Sequence, residues 1–146
     1  MMVKTFHLET VLRGYTELTK QIGEAVAESG VREGVCIVHC PHTTAGLAIS
    51  SFWDLKGLED LQDEICRLVP TRIDFKHQFD TPQDAAGHVK SSLLGVNLTL
   101  IVHEGKLLIG GSQGIFFVEF DGPRKREYFV KVVADQISAC EPPSRQ

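Results

Sequence analysis

The spacing of apolar residues alternates between a two-residue and a three-to-four-residue period, dividing the chain into a mixed first half and a β-rich second half. Residues 3–9 read as a short strand. From Tyr15 onward, Leu18, Ile22, Ala25 and Val26 fall on one helical face. This predicts a helix over about residues 17–29, with Thr16 as N-cap and Gly30 as C-cap. The run Val35-Cys36-Ile37-Val38-His39-Cys40 is too short for a helix and rich in β-branched residues, so it reads as a buried strand ended by Pro41. A short strand over 45–49 precedes Leu55, Leu58, Leu61, Ile65 and Leu68, whose spacing predicts a second helix that stops at Pro70.

Residues 71–87 carry Asp, Gln, Thr, Pro and His without periodicity and read as one long loop, a kind of segment that often carries function. A short helix over 88–94, closed by Gly95, follows. Four strands are then predicted over 96–102, 106–109, 115–120 and 127–133. Turn chemistry at Glu104-Gly105, Gly110-Gly111 and Asp121-Gly122-Pro123 separates them, so sequential antiparallel hairpins are the simplest topology. The expected class is α+β, mainly β: an antiparallel β-sandwich with two to three flanking helices. The tail over 135–146 contains two prolines and reads as frayed.

Composition narrows the function classes. A chain of 146 residues, 42% apolar and 23% charged, has the size and balance of one folded domain spanning 1–146, with its core at about 3–134, and excludes a disordered or fibrous chain. A net charge of −4 opposes nucleic-acid binding as the main role. No apolar run approaches the ~20 residues of a membrane span, and no apolar leader stands at the N-terminus, so the expected location is cytoplasmic. Four cysteines, at 36, 40, 66 and 140, form no Cys-x-x-Cys pair and read as reduced thiols, with Cys36 and Cys40 as small buried residues.

Three histidines fall in loops or at element ends: His42 after a strand and a proline, His77 in the long loop, and His88 at the start of a short helix. Three imidazoles around Zn²⁺ leave a fourth position for water or substrate, so the trio is a candidate metal site, although its spacing is not that of any metal motif. His39, in an apolar strand, reads instead as a hydrogen-bonded core histidine. Gly110-Gly111-Ser112-Gln113-Gly114 has the look of a phosphate cradle, but it precedes a strand instead of a helix and reads better as a tight hairpin turn. Gly122-Pro123-Arg124-Lys125-Arg126 leaves two readings open, a phosphate grip centred on Arg124 or Arg126 and a solvated basic turn. No Gly-x-Ser-x-Gly elbow or His-Glu-x-x-His helix is present, so serine-hydrolase and zincin readings have no motif support.

Taken together, Pro41-His42-Thr43-Thr44-Ala45-Gly46-Leu47, Lys76-His77, Gly87-His88-Val89-Lys90-Ser91-Ser92-Leu93-Leu94-Gly95, Gly105-Lys106-Leu107-Leu108-Ile109-Gly110, Gln113-Gly114-Ile115 and Glu119-Phe120-Asp121-Gly122-Pro123-Arg124-Lys125-Arg126 resemble the secondary thiamine-phosphate synthase family, also called YjbQ-like. The motifs occur in family order over residues 3–134. The resemblance implies a β-sandwich that assembles as a homotrimer, a divalent metal (zinc) on His42, His77 and His88, and a small phosphorylated substrate. It further implies coupling of a pyrimidine diphosphate to a thiazole phosphate with loss of pyrophosphate.

Such chemistry needs cations around the leaving phosphates. On this reading His42, His88 and Glu119 are catalytic, while Thr43, Thr44, Lys90, Gln113 and Arg124 bind substrate and its phosphates. Two departures from the family pattern bear on activity: Ser50-Ser51 stand where the family carries Asn-Glu, and Ser112 stands where it carries Trp. They favour a trimeric phosphate- or ligand-binding module without turnover as the alternative, with a metal-dependent phosphoester hydrolase as a further one. Trp53 reads as an anchor at the start of the second helix, packed on the core.

Overall fold

The computed structural model describes residues 3–136. The frayed tail expected beyond residue 136, and Cys140 with it, lies outside the described residues. The chain runs β1 (Lys4–Glu9), β2 (Tyr15–Glu17), α1 (Thr19–Ser29), β3 (Gly34–His39), β4 (Ala45–Ser51), α2 (Lys56–Leu68), α3 (Pro82–Leu94), β5 (Asn97–His103), β6 (Lys106–Leu107), β7 (Gln113–Glu119) and β8 (Lys125–Ala134). Two antiparallel sheets result, one of five strands in the order β1-β8-β3-β5-β6 and one of three in the order β2-β7-β4. The expected α+β, mainly β class holds.

The sheets face each other across a core that draws Cys36, Val38 and Val130 from the large sheet, Leu47, Ile115 and Phe117 from the small one, and Ile22 and Val26 from α1. The other face of the small sheet, with Ala48, Phe116 and Val118, packs on Leu58 of α2, with Leu61 and Ile65 alongside. The small sheet is therefore covered on both sides, which is why Ile115, Phe116, Phe117 and Val118 form an unbroken apolar run, each no more than 1% exposed. Polar alternation would place a polar side chain in one of the two cores.

That double burial overturns the sequential-hairpin topology. Only β5 and β6 pair as neighbours in sequence. β7 crosses to the small sheet and pairs β4 in the register Leu47↔Phe117, while β8 returns to lie between β1 and β3. The Gly110–Gly114 stretch is thus a crossing between sheets and not a hairpin turn.

Helix starts also moved. Thr16 is not an N-cap: it lies in β2 opposite Phe117, and α1 begins three residues later, with Thr19 Oγ1 accepting the Ile115 N–H. Gly30 closes α1 in the left-handed region at φ 69, as expected. Trp53 is not a core anchor; it is 74% exposed and stacks on Phe52. His39 is half-buried instead of being in the core, with Nδ1 2.6 Å from Asn97 Oδ1.

Candidate metal centre and adjoining cleft

The largest difference from the sequence expectation lies at α3, which begins at Pro82, six residues before the expected start. Thr81 caps it, its Oγ1 accepting the Asp84 N–H at 3.0 Å, and Pro82 supplies the preset φ of a first helical residue. The signal was in the sequence as Thr81-Pro82-Gln83-Asp84, a threonine followed three residues later by an acid. With the helix drawn correctly, Asp84 and His88 stand four residues apart on one face.

His77, from the preceding loop, closes on that face. Asp84 Oδ2 lies 3.2 Å from His77 Nε2 and 3.4 Å from His88 Nε2, and the ligand atoms of all three residues lie within 4.8 Å of one another. Tetrahedral zinc with bonds of about 2.0–2.1 Å places its ligand atoms about 3.3 Å apart, so two of the three edges already have metal-site lengths. Two imidazoles and one carboxylate form a donor set that zinc accepts with a fourth position open. Asp84 is 13% exposed at its side chain, against 50% for His77 and 38% for His88, so the carboxylate anchors the group from below and the histidines face outward.

Of the three histidines selected from sequence, the fold brings together His77 and His88, and Asp84 joins them; His42 stands outside the group. Its Nε2 lies 3.0 Å from the Glu127 amide nitrogen and 3.1 Å from the Glu127 carbonyl, so the ring is tied to the β8 backbone in either tautomer. Burial, and then the positive charge of Arg126, hold its pKa below the ordinary histidine value, so the imidazole is neutral at neutral pH. His42 and His88 nonetheless line one cleft of about 550 Å³, together with Thr43, His39, Ser91 and Ser92.

Behind the cleft lies a buried ion pair. Glu119, wholly buried, accepts from Arg126 Nε at 2.8 Å and Nη2 at 2.6 Å, from Thr10 Oγ1 at 2.7 Å and from the Asp121 N–H at 3.0 Å. Burial alone pushes the Glu119 carboxyl up, but these four donations outweigh it and hold the group below the ordinary carboxylate range. Arg126 also donates to Thr44 Oγ1 at 2.8 Å, which ties the threonine beside His42 to the pair.

Several residues expected to be catalytic or to contact substrate are engaged with the protein itself. Glu119 and Thr44 belong to the buried network just described. Arg124, half-exposed, is gripped by Asp121 at 2.5 Å with Asp80 at 3.5 Å, so a phosphate there competes with two carboxylates. Gln113 Oε1 accepts the Gly110 N–H at 2.7 Å, bracing the crossing between sheets. Lys90 is buried and donates to Cys66. Thr43 lines the cleft and is exposed. Asp84 is the participant that sequence reading missed; Arg126, a candidate phosphate grip from sequence, is instead paired with Glu119, and Asp121 holds Arg124.

Two glycines permit this packing. A Cβ at Gly46 would sit 2.8 Å from the Gly95 carbonyl oxygen, and one at Gly87 would sit 3.2 Å from Thr44 Cβ, so α3 seats closely on β4.

Fold and site define a two-sheet α+β protein with a candidate His/Asp/His metal centre at the mouth of a half-open cleft. The chain belongs to the YjbQ-like UPF0047 family, whose model matches residues 4–135. It is 42% identical over 120 residues to a UPF0047 protein of Methanocaldococcus jannaschii, covering 82% of this chain and 85% of the relative. Against the UPF0047 protein YugU of Bacillus subtilis it is 33% identical over 135 residues, 90% and 99% of the two chains. Among solved structures, a YjbQ/UPF0047-family protein of Clostridium acetobutylicum superposes with a TM-score of 0.83 at 38% identity, covering 89% of this chain and 99% of that one. None of these names carries an activity, a metal or an assembly, and nothing in them links the chain to thiamine-phosphate synthesis.

Proposed function

We propose that the chain holds a divalent ion, zinc by its donor set, on His77, Asp84 and His88, and acts there on a small phosphorylated molecule bound in the adjoining cleft. The observation that carries this reading is the approach of the Asp84 carboxylate to both histidines at metal-site distances beside a cleft that His88 also lines. A bound divalent ion supplies a Lewis acid that draws charge from phosphoryl oxygens as a leaving group departs. His42, neutral and held by the Glu127 backbone, offers a hydrogen bond or takes a proton across the cleft, and the Thr43 hydroxyl orients a polar group. The reaction that the motif resemblance suggests is displacement of pyrophosphate from a pyrimidine methylene by a thiazole nitrogen. The carbon–nitrogen bond forms as the carbon–oxygen bond breaks. The same resemblance makes a homotrimer the proposed assembly, and the exposed side chains of Trp53 and Phe52 are consistent with a surface that self-association covers.

A second reading, a ligand-binding module without turnover, draws support from Lys90, Gln113, Thr44 and Glu119 all being committed to internal bonds. The experiment is elemental analysis of untagged, never-chelated protein, followed by pyrophosphate release with both thiamine precursors present. Wild type and His42→Ala should carry about one ion per chain, and Asp84→Ala and His88→Ala should lose it. Protein that is metal-free and takes up no zinc after dialysis overturns the metal reading. Loaded protein that binds the precursors without releasing pyrophosphate assigns the module.

A further inference from the structure

Between α2 and α3 lies a contact that the candidate metal centre does not use. Lys90 on α3 is 1% exposed, and its Nζ donates to Sγ of Cys66 on α2 at 3.2 Å. That sulfur is the one hydrogen-bond or ion-pair partner the amine has among the described residues. Lysine is almost never fully buried unless paired with a charged group, and sulfur is a weak acceptor, so packing alone accounts poorly for an amine at this position. The contact also differs from the surroundings of the other described cysteines. Cys36 and Cys40 are at most 1% exposed, burial pushes each thiol up to about 11, and no amine bonds to either. Cys66 is half-buried where Cys36 and Cys40 are buried, which makes it the most open of the described cysteines to a small oxidant.

We infer that Cys66 and Lys90 form an oxidative modification site, at which hydrogen peroxide joins Sγ to Nζ through a sulfur–nitrogen bond. In the first step Sγ attacks one peroxide oxygen. The S–O bond forms, the O–O bond breaks, and the departing hydroxide leaves as water with the thiol proton; sulfur is oxidised by two electrons and peroxide is reduced. The product, a sulfenic acid, condenses readily with a nearby nitrogen. Nζ then attacks Sγ, the S–N bond forms, the S–O bond breaks, and the second hydroxide leaves as water with a proton from Nζ. One peroxide gives two waters, and the protein loses two hydrogen atoms.

The consequence is local to the candidate site. A bond between residues 66 and 90 closes a covalent ring containing His77, Asp84 and His88, and it ties α2 to the helix that presents two of the three. Loop closure restrains the freedom of everything inside the ring. The inference concerns the α2–α3 contact and stands whether or not a metal binds.

The experiment treats folded, chelator-washed protein with hydrogen peroxide and reads intact mass and a peptide map. The expected result is a mass lower by two hydrogen atoms, a crosslinked peptide joining residues 66 and 90, reversal by excess dithiothreitol, and loss of the crosslink in Cys66→Ser. In Lys90→Met the same treatment should leave a sulfenic acid at Cys66 that dimedone captures; if that variant fails to fold, the wild-type map decides alone. Cys66 recovered as sulfinic acid or in a disulfide, with residue 90 unmodified, overturns the inference. An equal yield of crosslink in urea-unfolded protein also overturns it, because the geometry of the fold would then play no part.

Discussion

Replacing Arg126 by methionine leaves Glu119 with its charge, its complete burial and no cation. In the folded protein the carboxylate takes two of its four donations from the guanidinium, at 2.8 and 2.6 Å, and the pair is 8% and 1% exposed at its side chains. Removing one partner of a buried ion pair costs about 3–5 kcal/mol, most of it the desolvation of the charge left behind. Thr10 and the Asp121 amide still bond to Glu119, so the lower half of that range, about 3 kcal/mol, is expected at neutral pH. Against a total stability of about 5–15 kcal/mol, the loss is readily seen as a lowered urea midpoint.

The pH dependence gives the sharper test. In the wild type the folded pKa of Glu119 lies below its unfolded value, so its contribution is present above the unfolded pKa and is lost as pH falls through the folded one. In Arg126→Met the folded pKa rises above the unfolded value, so the penalty is complete at about pH 7 and fades toward about pH 4 as the carboxyl protonates in the folded state. The stability gap between the two proteins should therefore narrow on acidification, and Glu119→Gln combined with Arg126→Met should cost less than Arg126→Met alone. A gap under about 1 kcal/mol at neutral pH, or one unchanged down to about pH 4, would refute the assignment of Glu119 as a charged, buried anion.

His42 should titrate below the ordinary histidine value in an NMR experiment, and stability should decline as pH drops below its unfolded pKa of about 6.5, because the unfolded chain then binds the proton more readily. A His42 titration above that value would contradict its burial beside Arg126. Thr81→Ala should cost about 1 kcal/mol through loss of the cap on α3 and should weaken zinc uptake as measured by calorimetry, since Asp84 is positioned by that first turn. Unchanged stability would mean that the Thr81 side chain does not set the helix start.

How much of this was legible beforehand differs from element to element. The β3 run, the α2 stripe and the Gly30 cap were readable because each is a local pattern, set by side-chain period or by the backbone freedom of one residue. The start of α3 is equally local, in Thr81-Pro82-Gln83-Asp84, but a helix drawn from His88 leaves out that cap and Asp84 with it. The histidines were selected for their places in loops and at element ends, and that criterion found His77 and His88 but carried no information about which groups face each other.

Local patterns along the chain suffice for the mixed class, most strand and helix positions and a short set of chemically capable residues, because periodicity, caps and turn residues act over a few positions. Tertiary structure alone decided the sheet order, the move of β7 to a second sheet, the pairing of Glu119 with Arg126 and the meeting of Lys90 with Cys66. Those outcomes depend on which apolar faces cover one another and on which buried charges must find partners. Residues far apart in sequence settle such questions only once the chain has closed on itself.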